Sequence, residues 1–147
     1  MNLNPRFIIF PISREEFDSI PQFEDFLINT VTSVQRNGIY HIRTKLKYPP
    51  MGSVPVGSIA VFRFFGQHLG HAQVKVGLRK QFEPERFDLY PYYITFEPST
   101  IELFPRKILL SEFRRIYPHP FFTRAYIDMT RSEYHKLVQL AGVRPII

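Results

Sequence analysis

The chain has 147 residues, 44% of them hydrophobic, and a formal net charge of +6; one domain is expected, able to bury about two-thirds of its unfolded surface, and bulk disorder is excluded. The absence of cysteine rules out disulfides, thiol nucleophiles and thiolate metal sites. No apolar run is long enough for a transmembrane helix or a cleavable leader, so a cytoplasmic protein without a membrane partner is expected.

Fifteen Phe, eight Tyr and thirteen Pro against seven Gly favour short strands joined by stiff loops. Arg6-Phe-Ile-Ile-Phe10 reads as a buried strand ended by Pro11. Ser13-Arg-Glu-Glu16 matches a capping box, which predicts a helix from Arg14. After Pro21 a second helix follows, with Phe23, Phe26, Leu27, Thr30, Val31 and Val34 as its inner stripe and Asn37-Gly38 as its stop. Residues 39–47 alternate: His41, Arg43, Lys45 and Lys47 face outward, opposite Ile42, Thr44 and Leu46. Three prolines make residues 48–57 a loop.

Residues 58–65 form the next strand. A tight turn is expected at Gly66-Gln67, and the chain returns along 68–78 with Gly70 and Gly77 as bulge or close-approach positions. Residues 80–91 read as a loop, 92–96 and 100–104 as strands, and 110–116 as a short helix capped by Ser111. Residues 124–128 resemble a short strand. Thr130-Arg-Ser-Glu133 is a second capping box, opening a helix lined by Tyr134, Leu137, Val138 and Ala141 and stopped by Gly142. This order fits a single α+β domain, residues 1–147, built on a small curved mixed sheet or pseudo-barrel with flanking helices.

The charge is unevenly placed. Five acids fall within residues 15–25, whereas residues 26–82 hold none and carry eight cations. Such a segment projects a positive field and favours a polyanion. Catalytic signatures are missing: there is no P-loop, no dinucleotide-binding glycine pattern and no nucleophile elbow. His68 and His71, three apart on one strand, are expected on opposite faces and make a poor metal pair. No enzyme activity, metal or cofactor is expected.

Binding features are stronger. Arg43, Lys45, Lys47, Lys75, Arg79 and Lys80 would follow a phosphate backbone. Arg63 stands inside Val61-Phe-Arg-Phe-Phe65, where an arginine either stacks on a base or pairs with a phosphate, or sits at a sheet edge. Phe62, Arg63, Phe64 and Phe65, with Tyr92 or Tyr93, could line an aromatic pocket beside the basic surface, as recognition of an extruded base requires.

The block Val56-Gly-Ser-Ile-Ala-Val-Phe-Arg-Phe-Phe-Gly-Gln-His-Leu-Gly-His-Ala-Gln-Val74 resembles the heart of PUA-like domains. It is most similar to the EVE branch and the related base readers fused to modification-dependent restriction enzymes. The tail, Ser99 to Ile108 and then Ile127-Asp-Met-Thr-Arg-Ser-Glu-Tyr134, resembles their closing strands and last helix. The resemblance implies a modified-base reader that uses base flipping on methylated DNA, in preference to RNA. It also implies a pocket wall at Ser13, and a role either alone or as the specificity domain of a larger restriction-modification enzyme with a nuclease or ATPase part. The tryptophans that often line such pockets are missing, so Phe or Tyr would serve. The alternatives are a protein-interaction domain using exposed aromatics and an RNA-binding accessory domain of the same fold. The sequence leaves the oligomeric state open.

Overall fold

The computed structural model describes residues 5–42, 54–80, 92–124 and 127–147. The first apolar run forms strand β1 (Phe7–Pro11). The capping-box pattern at Ser13 does not start a helix. It closes a turn, with the Glu16 N–H on the Ser13 carbonyl and the Glu15 N–H on the Ser13 hydroxyl, both at 3.2 Å. The helix starts later. In α1 (Ile20–Asp25) the Ser19 hydroxyl takes the Gln22 N–H, and Pro21 occupies the first turn, where its missing N–H costs nothing. A π-helical turn, Phe26–Val31, continues α1. Phe23, Leu27 and Val31 are buried as the stripe predicts, but Val34 lies beyond the turn and is 97% exposed.

Asn37 and Gly38 then take positive φ and lead into β2 (Ile39–Ile42). A Cβ on Gly38 would lie 1.9 Å from the Phe96 carbonyl oxygen, so this close approach requires glycine. Next come β3 (Ile59–Phe64), β4 (Gln67–Lys80), β5 (Tyr92–Phe96) and β6 (Glu102–Leu109). β6 runs past the predicted end, through Pro105 to Leu109. Helix α2 (Leu110–Ile116) starts from Leu109, whose N–H is held by the Glu112 carboxylate; Ser111 lies inside the first turn and is not the cap. β7 (Ile127–Met129) and α3 (Arg131–Ala141) complete the order. In α3 the Thr130–Glu133 box closes in both directions, at 2.8 and 3.1 Å, and Gly142 ends the helix at φ 86°.

The strands form one mixed, open sheet in the order β2-β5-β4-β3-β1-β7, with β6 also on β4. β1 and β3 are parallel, and the other pairings are antiparallel. One face packs on α1 through Ile8, Phe10, Phe62, Phe64, Phe23 and Leu27. The other packs on α2 and α3 through Phe7, Ile9, Val61, Phe113, Tyr134 and Leu137. With helices on both sides, all six β3 positions are buried.

The β3–β4 turn is Phe65-Gly66, one residue earlier than the glycine suggests. Both residues have positive φ, 52° and 68°, as a two-residue hairpin turn of the primed type needs. A bulge follows: His68 lies opposite Arg63 and Gly70 opposite Phe62, which leaves Leu69 as an extra residue. The extra residue resets the side-chain alternation. His68 and His71 therefore point to the same face, the reverse of the expectation from spacing. His68 stacks on Phe113 and His71 packs on Phe104 and Tyr134, all on the α2–α3 side.

Candidate nucleic-acid interface

The aromatic-rich strand β3 builds a framework. Phe62 and Phe64 are 0% and 1% exposed in the α1-side core and offer no surface to a ligand. Arg63 points the other way and is itself buried at 9% exposure. Its Nε donates to Nε2 of His68 at 3.0 Å, and its terminal nitrogens donate to the carbonyls of Arg124 and Phe122 at 3.1 and 2.9 Å. The guanidinium also lies 5.0 Å over the Phe113 ring. Burial pushes Arg63 down to about 10. His68 donates from Nδ1 to the Ile108 carbonyl, so it is neutral; burial, with the Arg63 charge, lowers it to about 3. Arg63 thus holds the chain after α2 against the sheet.

The remaining predicted pocket residues divide between two ends of β4. At the hairpin end, Phe65 is 37% exposed and the Arg14 guanidinium lies 4.6 Å over its ring. Ser13 is half-buried nearby in chain order, and the Ile12 N–H bonds the Arg63 carbonyl. At the other end, Tyr93 pairs across β5 with His41 of β2 and with Arg79 of β4. Directly paired residues share a sheet face, so these three side chains stand together. The His41 and Tyr93 rings are 6.3 Å apart. Phe65 immediately precedes β4 in the hairpin turn, and the two tyrosines pair with the last residues of β4, Arg79 and Lys80, twelve or more positions beyond Gln67.

The Tyr93 face lies opposite the α1-side core, to which Tyr40, Ile42, Ile94 and Phe96 belong. Tyr92 turns to that core and packs partly buried against it. Tyr93 and His41 are half-buried, and Arg79 is exposed. The burial of Tyr40 and Ile42 with His41 on the opposite face matches the predicted alternation. Arg43, Lys45 and Lys47 lie outside the described residues. Lys75 is exposed on β4, with Glu97 at 4.0 Å. Lys80 pairs with Tyr92 at the end of β4. The sequence reading missed His41 as a member of this group, although its place in the basic alternation, next to an aromatic-rich strand, was the available signal.

Among the described residues no three His, Asp or Glu side chains converge as metal ligands, and no helix is long and apolar enough to cross a membrane.

The chain matches no family model and no curated protein. Solved structures do resemble it. A protein from Agrobacterium tumefaciens superposes with TM-score 0.61 at 10% identity, covering 94% of each chain. The YTH domain of Zygosaccharomyces rouxii MRB1, solved in complex with N6-methyladenosine RNA, gives 0.58 at 13% identity, covering 96% of this chain and 89% of that one. Human THYN1, solved in complex with 5-methylcytosine containing DNA, gives 0.57 at 12% identity, covering 95% and 99%. At such identities the likeness is one of fold, and the chain has the α+β architecture of these PUA-like and EVE-like structures.

Proposed function

We propose that this domain binds nucleic acid and accommodates a modified base, in DNA in preference to RNA, with Tyr93 as the stacking surface. The observation that carries the reading is the grouping of Tyr93, His41 and Arg79 on one sheet face. A ring of this kind stacks on an unpaired base, and the neighbouring cation holds the adjoining phosphate. Lys75, Lys80 and the cations of residues 43–47 extend the same basic stretch and supply affinity without sequence preference. The fold shared with two structures that hold methylated RNA or DNA supports the reading. Ser13 and Phe65, at the far end of β4, are assigned to the flanking strand. The role is one of binding, alone or as the specificity part of a larger enzyme.

The test is a titration panel of labelled duplexes and single strands, DNA and RNA, unmodified or carrying 5-methylcytosine, 5-hydroxymethylcytosine or N6-methyladenine. Preference for one modified DNA, lost in Tyr93→Ala with the fold intact, is the expected result. Binding that ignores both modification and Tyr93 overturns the reader assignment. Absence of nucleic-acid binding, with an aromatic partner interface insensitive to salt, favours the protein-interaction alternative.

A further inference from the structure

A second basic and aromatic surface lies outside the predicted site, on α2 and residues 117–124. In α2 Phe113 is buried, while Arg114 and Arg115 are exposed. Among the described residues, neither they nor Arg124 form an ion pair. The nearby carboxylates have other partners: Glu112 has Arg106 and the Leu109 N–H, Glu133 has the Thr130 N–H and His119 of this same surface, and Asp128 has Arg6. The three arginines are thus exposed cations outside any ion pair, with Glu112 close enough to Arg115 to feel its charge.

Two of them also lie over rings. Arg124 sits 3.7 Å over Phe121 and Arg114 sits 5.4 Å over Phe122. Phe121 is 49% exposed. Arg114, Arg115 and Phe122 line an open groove of about 630 Å³ with Leu110 and Ser111. The backbone beneath is held in place, because Arg63 grips the Phe122 and Arg124 carbonyls and Tyr117 stacks on Phe113 at 5.5 Å. A surface fixed before binding loses less entropy when it binds.

Exposed cations alone would suit any polyanion. Rings and planar guanidiniums among them add stacking surfaces, which suit nucleotides better than acidic side chains. The surface also lies on the same side of β4 as Tyr93 and Arg79. His71 faces α3 on that side, and the pairings Val76–Thr95 and Arg79–Tyr93 keep the same face along β4.

We propose that α2 and residues 117–124 form a second nucleic-acid contact, where Arg114, Arg115 and Arg124 hold phosphates of the strand flanking a base at Tyr93. This rests on the function proposed above, and it extends that site to a partner longer than a few nucleotides.

The test compares single-stranded DNA of 20 and of 5 nucleotides, each with a central 5-methylcytosine, by fluorescence anisotropy over a salt series. The proteins are wild type and Arg114→Ala/Arg115→Ala, with thermal melts to verify folding. Two lost phosphate contacts on a single strand reduce the salt slope by about 1.4 and the affinity at about 0.1 M salt by roughly 25-fold. That loss is expected for the 20-mer alone. Wild-type binding of both ligands with no change for the 20-mer, or with equal losses on both, overturns the second contact and leaves the Tyr93 site standing. Displacement of the 20-mer by polyglutamate as readily as by unlabelled 20-mer also overturns it, in favour of an acidic protein partner. Failure of the wild type to bind either ligand overturns both readings together.

Discussion

The Tyr134 hydroxyl and Nδ1 of His71 lie 2.9 Å apart in the α2–α3-side core, joining the last helix to the middle of β4. The Ile146 N–H donates to the same hydroxyl at 3.0 Å, so the phenol proton goes to His71. Nε2 of His71 then carries the ring proton and donates it to Glu102 at 2.8 Å. Burial pushes Tyr134 up to about 12 and His71 below its ordinary value. The network ties α3 and the C-terminal residues to the sheet with every member neutral except the half-exposed Glu102.

Tyr134→Phe keeps the ring and removes the bridge. The His71 nitrogen and the Ile146 N–H then lose their shared partner, which costs about 1–3 kcal/mol. Urea unfolding of the variant is expected to show a lower midpoint with an unchanged slope. An unchanged midpoint shows that the bridge contributes nothing net.

Both buried histidines make the fold sensitive to mild acid. His68 is lowered to about 3 by burial and the Arg63 charge, and His71 is lowered by burial. In the unfolded chain each titrates near 6.5. Between these values the unfolded state binds more protons, so stability is full above about pH 6.5 and is lost as pH falls. Unfolding free energy measured at pH 7.5, 6.5 and 5.5 is expected to decline over the last step, above the range where carboxylates titrate. A flat profile contradicts the burial of these rings as neutral groups.

Arg63→Met separates a structural role from a base-binding one. It leaves His68 Nε2 and the carbonyls of Phe122 and Arg124 without their donor. A loss of about 2 kcal/mol or more of stability is expected. The folded variant is expected to keep wild-type affinity for a 5-nucleotide ligand. Full stability with lost affinity for that ligand would return Arg63 to the pocket.

Arg79→Ala is expected to weaken all nucleic acids about equally and to reduce the salt slope by about one unit, because phosphate contacts carry no sequence information. Tyr93→Ala is expected to lose about 1–3 kcal/mol for the preferred modified ligand and little for unmodified duplex. The measurement is a paired titration at two salt concentrations. Identical profiles for the two variants would refute this division of labour.

Gly70→Ala tests the bulge. A Cβ there would sit 2.4 Å from the Glu102 carbonyl oxygen, which is backbone and cannot swing aside. Separation of β4 from β6 is expected, with a loss above about 2 kcal/mol. At Gly66 nothing lies within 4 Å, so the cost of alanine is confined to its φ of 68°, about 1–2 kcal/mol. A thermal-melt comparison that ranks Gly66→Ala as the worse variant would contradict the close-approach argument.

Local signals in the sequence determined the elements whose causes are local. The run around Ile8, the alternation through Tyr40 and Ile42, β5 and the doubly capped α3 stand where the residues place them, because capping, turn chemistry and side-chain period act within a few positions. Ser13-Arg-Glu-Glu16 shows the limit: the same pattern closes a turn when the next cap, Ser19, leads into the segment that buries Phe23. Tertiary structure alone decided the rest. Which way His68 and His71 point depends on a bulge set by the partner strand. The burial of Phe62, Arg63 and Phe64 follows from helices packed on both faces of β3, an arrangement that alternation along one strand cannot register. The meeting of Tyr93 with His41 and Arg79 follows from the register of three strands far apart in the chain, and register is fixed by burial on the opposite face of the sheet.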